Sequence, residues 1–310
     1  MSLAWHAEAL WEQLEPLLPG LSVEVVASSP STNSTLLERA RADPEPLLDA
    51  APDPIGHALV RRSRESAAFG RRAADHQPCL LVAEHQTDGR GRMGRTWTSS
   101  AGASLTFSLS LPMSPRDWSG LSLAVGVALA EALDPLPVAP AAPRIGLKWP
   151  NDLWRLDSAP GTPPRGRKLG GILIETCAVG SNRMAVIGVG LNVLPQPVDE
   201  SLSQGQACLL ELDPGASAPA VLARVAQPLV QALLDFERDG FAGCAARFAA
   251  RDLLRGQAVL AWRGETAEEG VALGVTAQGL LRVQMAADGR VQEIGSGEVS
   301  VRLRPEDAAC

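Results

Sequence analysis

The chain has 310 residues, 45% of them apolar and 20% charged, with a formal net charge of −7, the profile of a soluble globular protein with one large domain, or a large and a small one. An acidic total argues against a general nucleic-acid binder, whose contact surface carries excess Lys and Arg. The longest apolar helical stretch, residues 121–133, is too short to span a bilayer; the N-terminus has no basic-then-apolar leader; and five scattered cysteines without metal-ligand spacing read as reduced thiols of a cytoplasmic protein.

In chain order, residues 3–18 place Leu3, Ala7, Leu10, Trp11, Leu14 and Leu18 at helical spacing, ending near Pro19-Gly20. A short strand is predicted over 23–27. Ser31-Thr32-Asn33 then precedes an apolar-periodic run from Leu36 and reads as a helix start. Residues 39–78, rich in Pro, Arg and Ala, read as an insertion with at most one helix, around 55–69. A buried strand is predicted over 80–84, and a half-buried one over 104–111, where Leu105, Phe107, Leu109 and Leu111 share a face. A helix over 119–133 leads through a Pro-rich linker to a strand over 145–149, which Pro150-Asn151-Asp152 stops. Residues 157–167 read as a loop, 169–177 and 184–193 as paired central strands, and 220–236 and 241–250 as helices. Past Arg255-Gly256 come five closely spaced short strands (257–262, 270–275, 280–285, 291–294 and 299–303), predicting a small closed β-barrel.

Four segments carry candidate chemistry. The run Gly89-Arg90-Gly91-Arg92-Met93-Gly94-Arg95-Thr96-Trp97 interleaves three glycines with three arginines and ends on an indole. Glycines let the backbone approach a ligand closely, and guanidinium forks suit phosphate and carboxylate oxygens. A solvated surface turn is the plain alternative, and single-stranded nucleic-acid contact a second. Lys148-Trp149-Pro150-Asn151-Asp152 is either a simple Asx-type turn or a strand end that orients a ligand or a cation. Lys168-Leu169-Gly170-Gly171-Ile172-Leu173-Ile174-Glu175 starts a strand with a lysine and two glycines, as a β-bulge would or as close backbone approach requires. Gly188-Val189-Gly190-Leu191-Asn192 puts glycines in a strand that ends on an amide, consistent with tight sheet packing or with a ligand surface.

Lysine usage sharpens the choice. Among 28 basic residues only Lys148 and Lys168 are lysines, and both fall inside these segments. Codon bias explains the scarcity but not the survivors, because a planar guanidinium does not copy a compact ammonium. No Ser-His-Asp set or metal cluster is apparent. Strand ends bearing Gly, Lys, Arg, Asn and Asp suit phosphoryl chemistry, where catalysis is mostly positioning and charge stabilisation.

Taken together with Ser31-Thr32-Asn33 and Glu84-His85-Gln86, these motifs, in this order, resemble the biotin–protein ligases over nearly the whole chain. The resemblance implies an α+β fold. Residues 1–253 would form a class II synthetase-like catalytic domain with a mixed or antiparallel central sheet and flanking helices. Residues 254–310 would form an SH3-like barrel. It implies ATP and biotin as substrates with Mg²⁺, formation of biotinyl-5′-AMP with pyrophosphate release, and transfer of biotin to a lysine of a biotin carboxyl carrier protein. That carrier would be a subunit of acetyl-CoA carboxylase or of a related carboxylase.

By the same resemblance, Ser31, Thr32, Asn33 and Gln86 hold the biotin rings, and Gly89, Arg90, Gly91 and Arg92 close over biotin and the adenylate. Trp97 walls the adenine, with Arg95 and Asn192 on the nucleotide. Lys148, Asn151 and Asp152 serve the triphosphate and its Mg²⁺. Lys168 touches both biotin carboxylate and α-phosphate, so that Lys168 and Arg92 carry the catalysis. Many bacterial members add an N-terminal helix-turn-helix; here 30 residues precede Ser31, with room for one helix, so no DNA partner is expected. No membrane partner is expected either, and a homodimer is allowed. A lipoate-type ligase, a biotin-sensing regulator and a non-catalytic binder are the competing readings.

Overall fold

Alternating apolar residues build the predicted strands, but the middle of the sheet they form is covered on both faces. The computed structural model describes residues 3–41, 67–69, 77–136, 142–157, 165–180, 182–196, 205–263, 266–297 and 299–303. Its first half runs α1 (Ala7–Leu14), β1 (Ser22–Ser29), α2 (Thr32–Arg41), β2 (Ala67–Phe69), β3 (Cys79–Gln86), β4 (Ser104–Pro112), α3 (Leu121–Leu133), β5 (Ile145–Lys148) and β6 (Asp152–Leu156). There follow β7 (Gly166–Val179), β8 (Asn182–Asn192), α4 (Ala218–Asp239), α5 (Ala245–Ala249), β9 (Ala258–Arg263), β10 (Thr266–Val275), β11 (Leu281–Met285), β12 (Val291–Ile294) and β13 (Val299–Leu303). Two compact units result: residues 1–114, 170–201 and 206–231, and residues 115–169, 202–205 and 232–310.

In the first unit the strand order is β2-β1-β3-β4-β8-β7, with β1 parallel to β3 and the other neighbours antiparallel. The sheet is therefore mixed, as expected. β4 corrects the half-buried expectation, since all eight residues from Ser104 to Leu111 are buried. Its apolar face is the predicted one; the other carries Ser104, Thr106, Ser108 and Ser110 and is covered too. Over the sheet lies α2, whose Leu36, Leu37 and Ala40 pack with Cys79, Leu81, Cys177, Met184 and Val186. Each large aliphatic side chain buried this way contributes roughly 1.5–3 kcal/mol.

The predicted helix around 55–69 lies mostly outside the described residues. At its end the structure differs: Ala67–Phe69 is a strand, paired through Val23↔Phe69 with β1. Three residues with no helical turn of their own supply backbone partners to an otherwise unpaired strand edge. The first helix is shorter than 3–18. It starts only after His6, whose φ of 49° lies in the left-handed region.

In the second unit, Pro150-Asn151-Asp152 does not end the local sheet. Residues 149–151 turn a hairpin, and β6, which the sequence reading missed, returns along β5 with Lys148 opposite Asp152. The Trp149–Pro150 peptide is cis. Trp149 is buried and its indole N–H donates to the Gly279 carbonyl (3.1 Å), while the Ser122 hydroxyl donates to the Pro150 carbonyl (2.9 Å). The start of β7, residues 166–169, belongs to this unit and is followed in strand order by β6 and β5.

A buried charge network braces the same unit. Arg251, 3% exposed, donates to the Asp134 carboxylate (3.0 Å), to its carbonyl and to the Ile145 carbonyl (2.9 Å). Arg144 donates to the same carboxylate from Nε (2.9 Å) and from its backbone (2.8 Å). Burial alone would raise this carboxyl, but Arg144, Arg251 and the Ile145 N–H together hold it below the usual range. The next residue, Asp252, behaves oppositely. Burial pushes its carboxyl up to about 6, despite backbone hydrogen bonds from Leu254 and Arg255.

All five predicted C-terminal strands are present, in the antiparallel order β12-β11-β10-β9-β13. Among the described residues the ladders run from β12 to β13 without a pairing that joins those two edges. The expected closed barrel is thus an open five-stranded sheet in its hydrogen bonding.

Candidate active site

The run at 89–97 is a tight hairpin built on the end of β3. The Trp97 N–H donates to the Gly89 carbonyl (2.8 Å), the Gly91 N–H to the Arg95 carbonyl (2.7 Å), and the Arg95 N–H to the Arg92 carbonyl (3.2 Å). Arg90 and Thr96 bridge between the arms. At the tip, Met93 (φ 56°, ψ 38°) and Gly94 (φ 71°) both take positive φ, the signature of a type I′ turn. Glycine is required at 89 because an added Cβ would lie 2.2 Å from the Trp97 carbonyl oxygen. All three arginines ride on this one hairpin.

Beneath it lies a buried polar cluster. Ser31, Thr32 and Asn33 are all buried and begin α2 as predicted. Thr32 donates from its backbone N–H to Gln86 Oε1 (2.8 Å), and its hydroxyl lies 2.6 Å from Ser108 Oγ. Ser108 donates to Asn33 Oδ1 (2.6 Å). Asn33 Nδ2 donates to the Leu173 carbonyl (3.1 Å) and to Glu175 Oε2 (3.0 Å). Gln86 is held in turn by its backbone N–H, which donates to Ser99 Oγ (2.8 Å). Ser31 contributes less, accepting a long bond from the Ser34 N–H (3.4 Å).

The hairpin is fastened to this cluster. Arg90 donates to Glu175 Oε1 (3.1 Å) and Oε2 (3.4 Å), and to Ser34 Oγ (3.2 Å). Trp97 lies against β8 at Gly190, where an added Cβ would be 2.4 Å from the indole Cε2. At Gly188 an added Cβ would be 2.3 Å from Asn33 Oδ1. The glycines of β8 therefore clear space for two site side chains. Asn192, at the end of the same strand, is buried, with Nδ2 donating to the Ala207 carbonyl and Oδ1 accepting from Gln196 (both 3.1 Å).

In the second unit the remaining predicted residues gather around one hairpin. Lys168 Nζ lies 2.8 Å from Asp152 Oδ1, both side chains about one-fifth exposed. Lys148, paired with Asp152 across the strands, holds its ammonium 4.8 Å from the Trp154 ring centre. Asn151 sits in the turn between them. The two lysines, 20 residues apart, are thus both drawn to β6.

Sequence reading missed Ser108, Ser99 and Glu175. Ser108 had a signal: β4 alternates Leu and Phe with Ser and Thr, and a row of hydroxyls opposite an apolar face marks a polar surface that is also buried. Glu175 closes the Lys168–Glu175 motif but has no role assigned to it there, and Ser99 had no signal, because a lone serine looks the same on any solvated face.

Residues 64–192 match the model of the biotin/lipoate A/B protein ligase family. The chain is 32% identical over 289 residues to the biotin–[acetyl-CoA-carboxylase] ligase of Mycobacterium tuberculosis, covering 91% of this chain and 89% of that protein. It is 35% identical over 225 residues to the bifunctional ligase/repressor BirA of Escherichia coli, covering 71% of this chain and 65% of that protein. The chain thus spans just under two thirds of the length of that BirA relative. In fold it is similar to the biotin protein ligase of Aquifex aeolicus solved with biotin and ATP, with a TM-score of 0.64 over 91% of this chain and 99% of that one, at 23% identity.

Proposed function

This chain belongs to the biotin/lipoate A/B protein ligase family, and we propose that it is an ATP-dependent biotin–protein ligase acting on the biotin carrier of a carboxylase. The observation that carries this reading is the near-full-length match to a biotin–[acetyl-CoA-carboxylase] ligase. The site geometry supports it: a buried hydroxyl and amide cluster suits a polar ring system that must leave water, and a triple-arginine hairpin suits the anion beside it.

In the first step a biotin carboxylate oxygen attacks the α-phosphorus of ATP. A carboxyl–phosphate bond forms, the α–β bridging P–O bond breaks, and pyrophosphate leaves. In the second, the carrier lysine amine attacks the acyl carbon, an amide forms, and AMP and a proton depart. Thr32, Asn33 and Gln86, with Ser31, hold the biotin rings. Gly89, Arg90, Gly91 and Arg92 cover the carboxylate and adenylate. Trp97, Arg95 and Asn192 receive the nucleotide. Lys168 offers a point charge to two anions that otherwise repel as they react, and Asp152 keeps its ammonium oriented.

Mg²⁺ enters with ATP. Asn151 and Asp152 offer one amide and one carboxylate, a donor set that fits an ion keeping water and phosphate as its other ligands. Among the described residues no group of three or more His, Cys, Asp or Glu would hold a metal alone. We assign residues 1–253 to the ligase domain and 254–310 to a small SH3-like domain. Pyrophosphate release on mixing with biotin, ATP and Mg²⁺, with lipoate as control, tests the assignment; release with lipoate but not biotin overturns it.

A further inference from the structure

Of the two lysines that converge on β6, Lys168 lies 2.8 Å from the Asp152 carboxylate. Lys148 meets a different kind of partner. It stands opposite Asp152 across the β5–β6 hairpin, so Trp154 is its diagonal neighbour on the same face, a spacing that long and aromatic side chains reach across. The Lys148 ammonium lies 4.8 Å from the centre of the Trp154 ring, inside the distance at which an indole face attracts a cation. Trp154 is only 4% exposed, and such an attraction strengthens where water is kept away.

Tryptophan is a demanding occupant of this position. Its indole N–H is buried with no hydrogen-bond partner among the described residues, a penalty that phenylalanine or leucine would not carry. Against that, indole has the best ring face for a cation among the aromatic side chains. The hold also differs in kind from that of Asp152. A carboxylate orients an ammonium by offsetting its charge, whereas a neutral ring orients it and leaves the charge to act on an anion. We infer that Trp154 is a positioning residue for nucleotide binding: its ring face fixes the Lys148 ammonium for the triphosphate of ATP without neutralising it. This rests on the reading of Lys148 as a triphosphate residue in the proposed function.

The chain has only two lysines, so labelling with ¹³C-lysine gives two sets of side-chain NMR signals, assigned with Lys148→Met. Ring current from Trp154 should move the Lys148 ε-methylene protons upfield of those of Lys168. Trp154→Leu should abolish that displacement, and Trp154→Phe should keep part of it. In pyrophosphate release, Trp154→Leu is expected to raise the KM for ATP about five- to thirtyfold. Its kcat and its KM for biotin should stay within about twofold of the parent, and Trp154→Phe should fall between the two. In a Lys148→Met background the same Trp154→Leu change should move the KM for ATP by less than about twofold, because the contact is already gone. A purely packing role would give an equal loss in both backgrounds. No upfield displacement at Lys148, or equal losses in the two backgrounds, overturns the inference. If Trp154→Leu fails to fold, Trp154→Phe is compared with pentafluorophenylalanine at the same position, which keeps the ring shape and reverses its charge distribution. Equal KM for ATP in that pair overturns the inference. Should the parent release no pyrophosphate with biotin, the proposed function fails, and ATP titrated against the Lys148 signal decides the inference by itself. Binding weakened about five- to thirtyfold in Trp154→Leu upholds it, and equal binding overturns it.

Discussion

Lys168 and Asp152 meet at 2.8 Å, so the lysine near the start of β7 is oriented by the carboxylate of the Lys-Trp-Pro-Asn-Asp segment. Two segments that look separate along the chain act as one charge pair. Both side chains are about one-fifth exposed, so the ammonium stays within reach of solvent.

Removing that ammonium should stop the first step. Lys168→Ala is expected to lower pyrophosphate release about 10²- to 10³-fold, the range for loss of a preorganised charge at a reacting centre. Lys168→Arg should not restore it, because a planar fork does not replace a point charge. Formation of adenylate at the parental rate in Lys168→Ala would remove Lys168 from the mechanism.

Arg92 should behave differently. It rides on the hairpin, and closure of a site protects a reactive intermediate from water. Arg92→Gly is expected to keep releasing pyrophosphate while free biotinyl-5′-AMP accumulates in solution, measured by chromatography of the quenched reaction. Retention of the intermediate would count against a covering role.

At β8 the prediction is steric. A methyl group at Gly190 would sit 2.4 Å from the Trp97 ring, so Gly190→Ala must displace the indole. Overpacking of this kind costs roughly 1–3 kcal/mol. We expect the KM for ATP to rise about five- to hundredfold, with the KM for biotin changing less. An unchanged KM for ATP would separate Trp97 from nucleotide binding.

Asp252 gives a pH dependence of stability. Its carboxyl is raised by burial to about 6 from 3.8, so the folded state binds the proton more tightly than the unfolded chain does. The stabilisation this confers is complete below the unfolded value and is lost as pH rises through about 6. Asp252→Asn keeps an oxygen for the Leu254 N–H and removes the buried charge. Its thermal midpoint should exceed that of the parent at pH 8, by roughly 1–3 kcal/mol of stability, and converge with it by pH 4. Parallel melting of the two proteins across that range would show that this carboxyl does not couple to folding.

Arg251 is the opposite case. With its guanidinium gone, the Asp134 carboxylate keeps the Arg144 and Ile145 backbone N–H groups and the Arg144 side chain, which is more than half exposed. Arg251→Leu is expected to destabilise the protein by roughly 3–5 kcal/mol, the cost of breaking a buried pair from one side. Arg144→Leu should cost far less, and a urea titration of both variants distinguishes them.

Much of this was legible along the chain because it depends on local rules. The strands of the C-terminal sheet follow from alternating apolar residues between Gly turns. The start of α2 follows from hydroxyl and amide residues ahead of an apolar period. The glycine and arginine run announced its chemistry through residue types alone. What sequence could not supply were distances between segments. β6 went unseen because Asn and Asp after Pro mark a turn equally well whether the chain stops or comes back. Glu175 and Ser108 had no assigned role because a glutamate or serine acquires meaning only from what faces it. Composition and spacing therefore determined the kinds of groups this protein brings to its ligands. Tertiary structure decided the pairings, Lys168 with Asp152 and Arg90 with Glu175, because the order of the strands and the path of the hairpin set which side chains come within hydrogen-bonding reach.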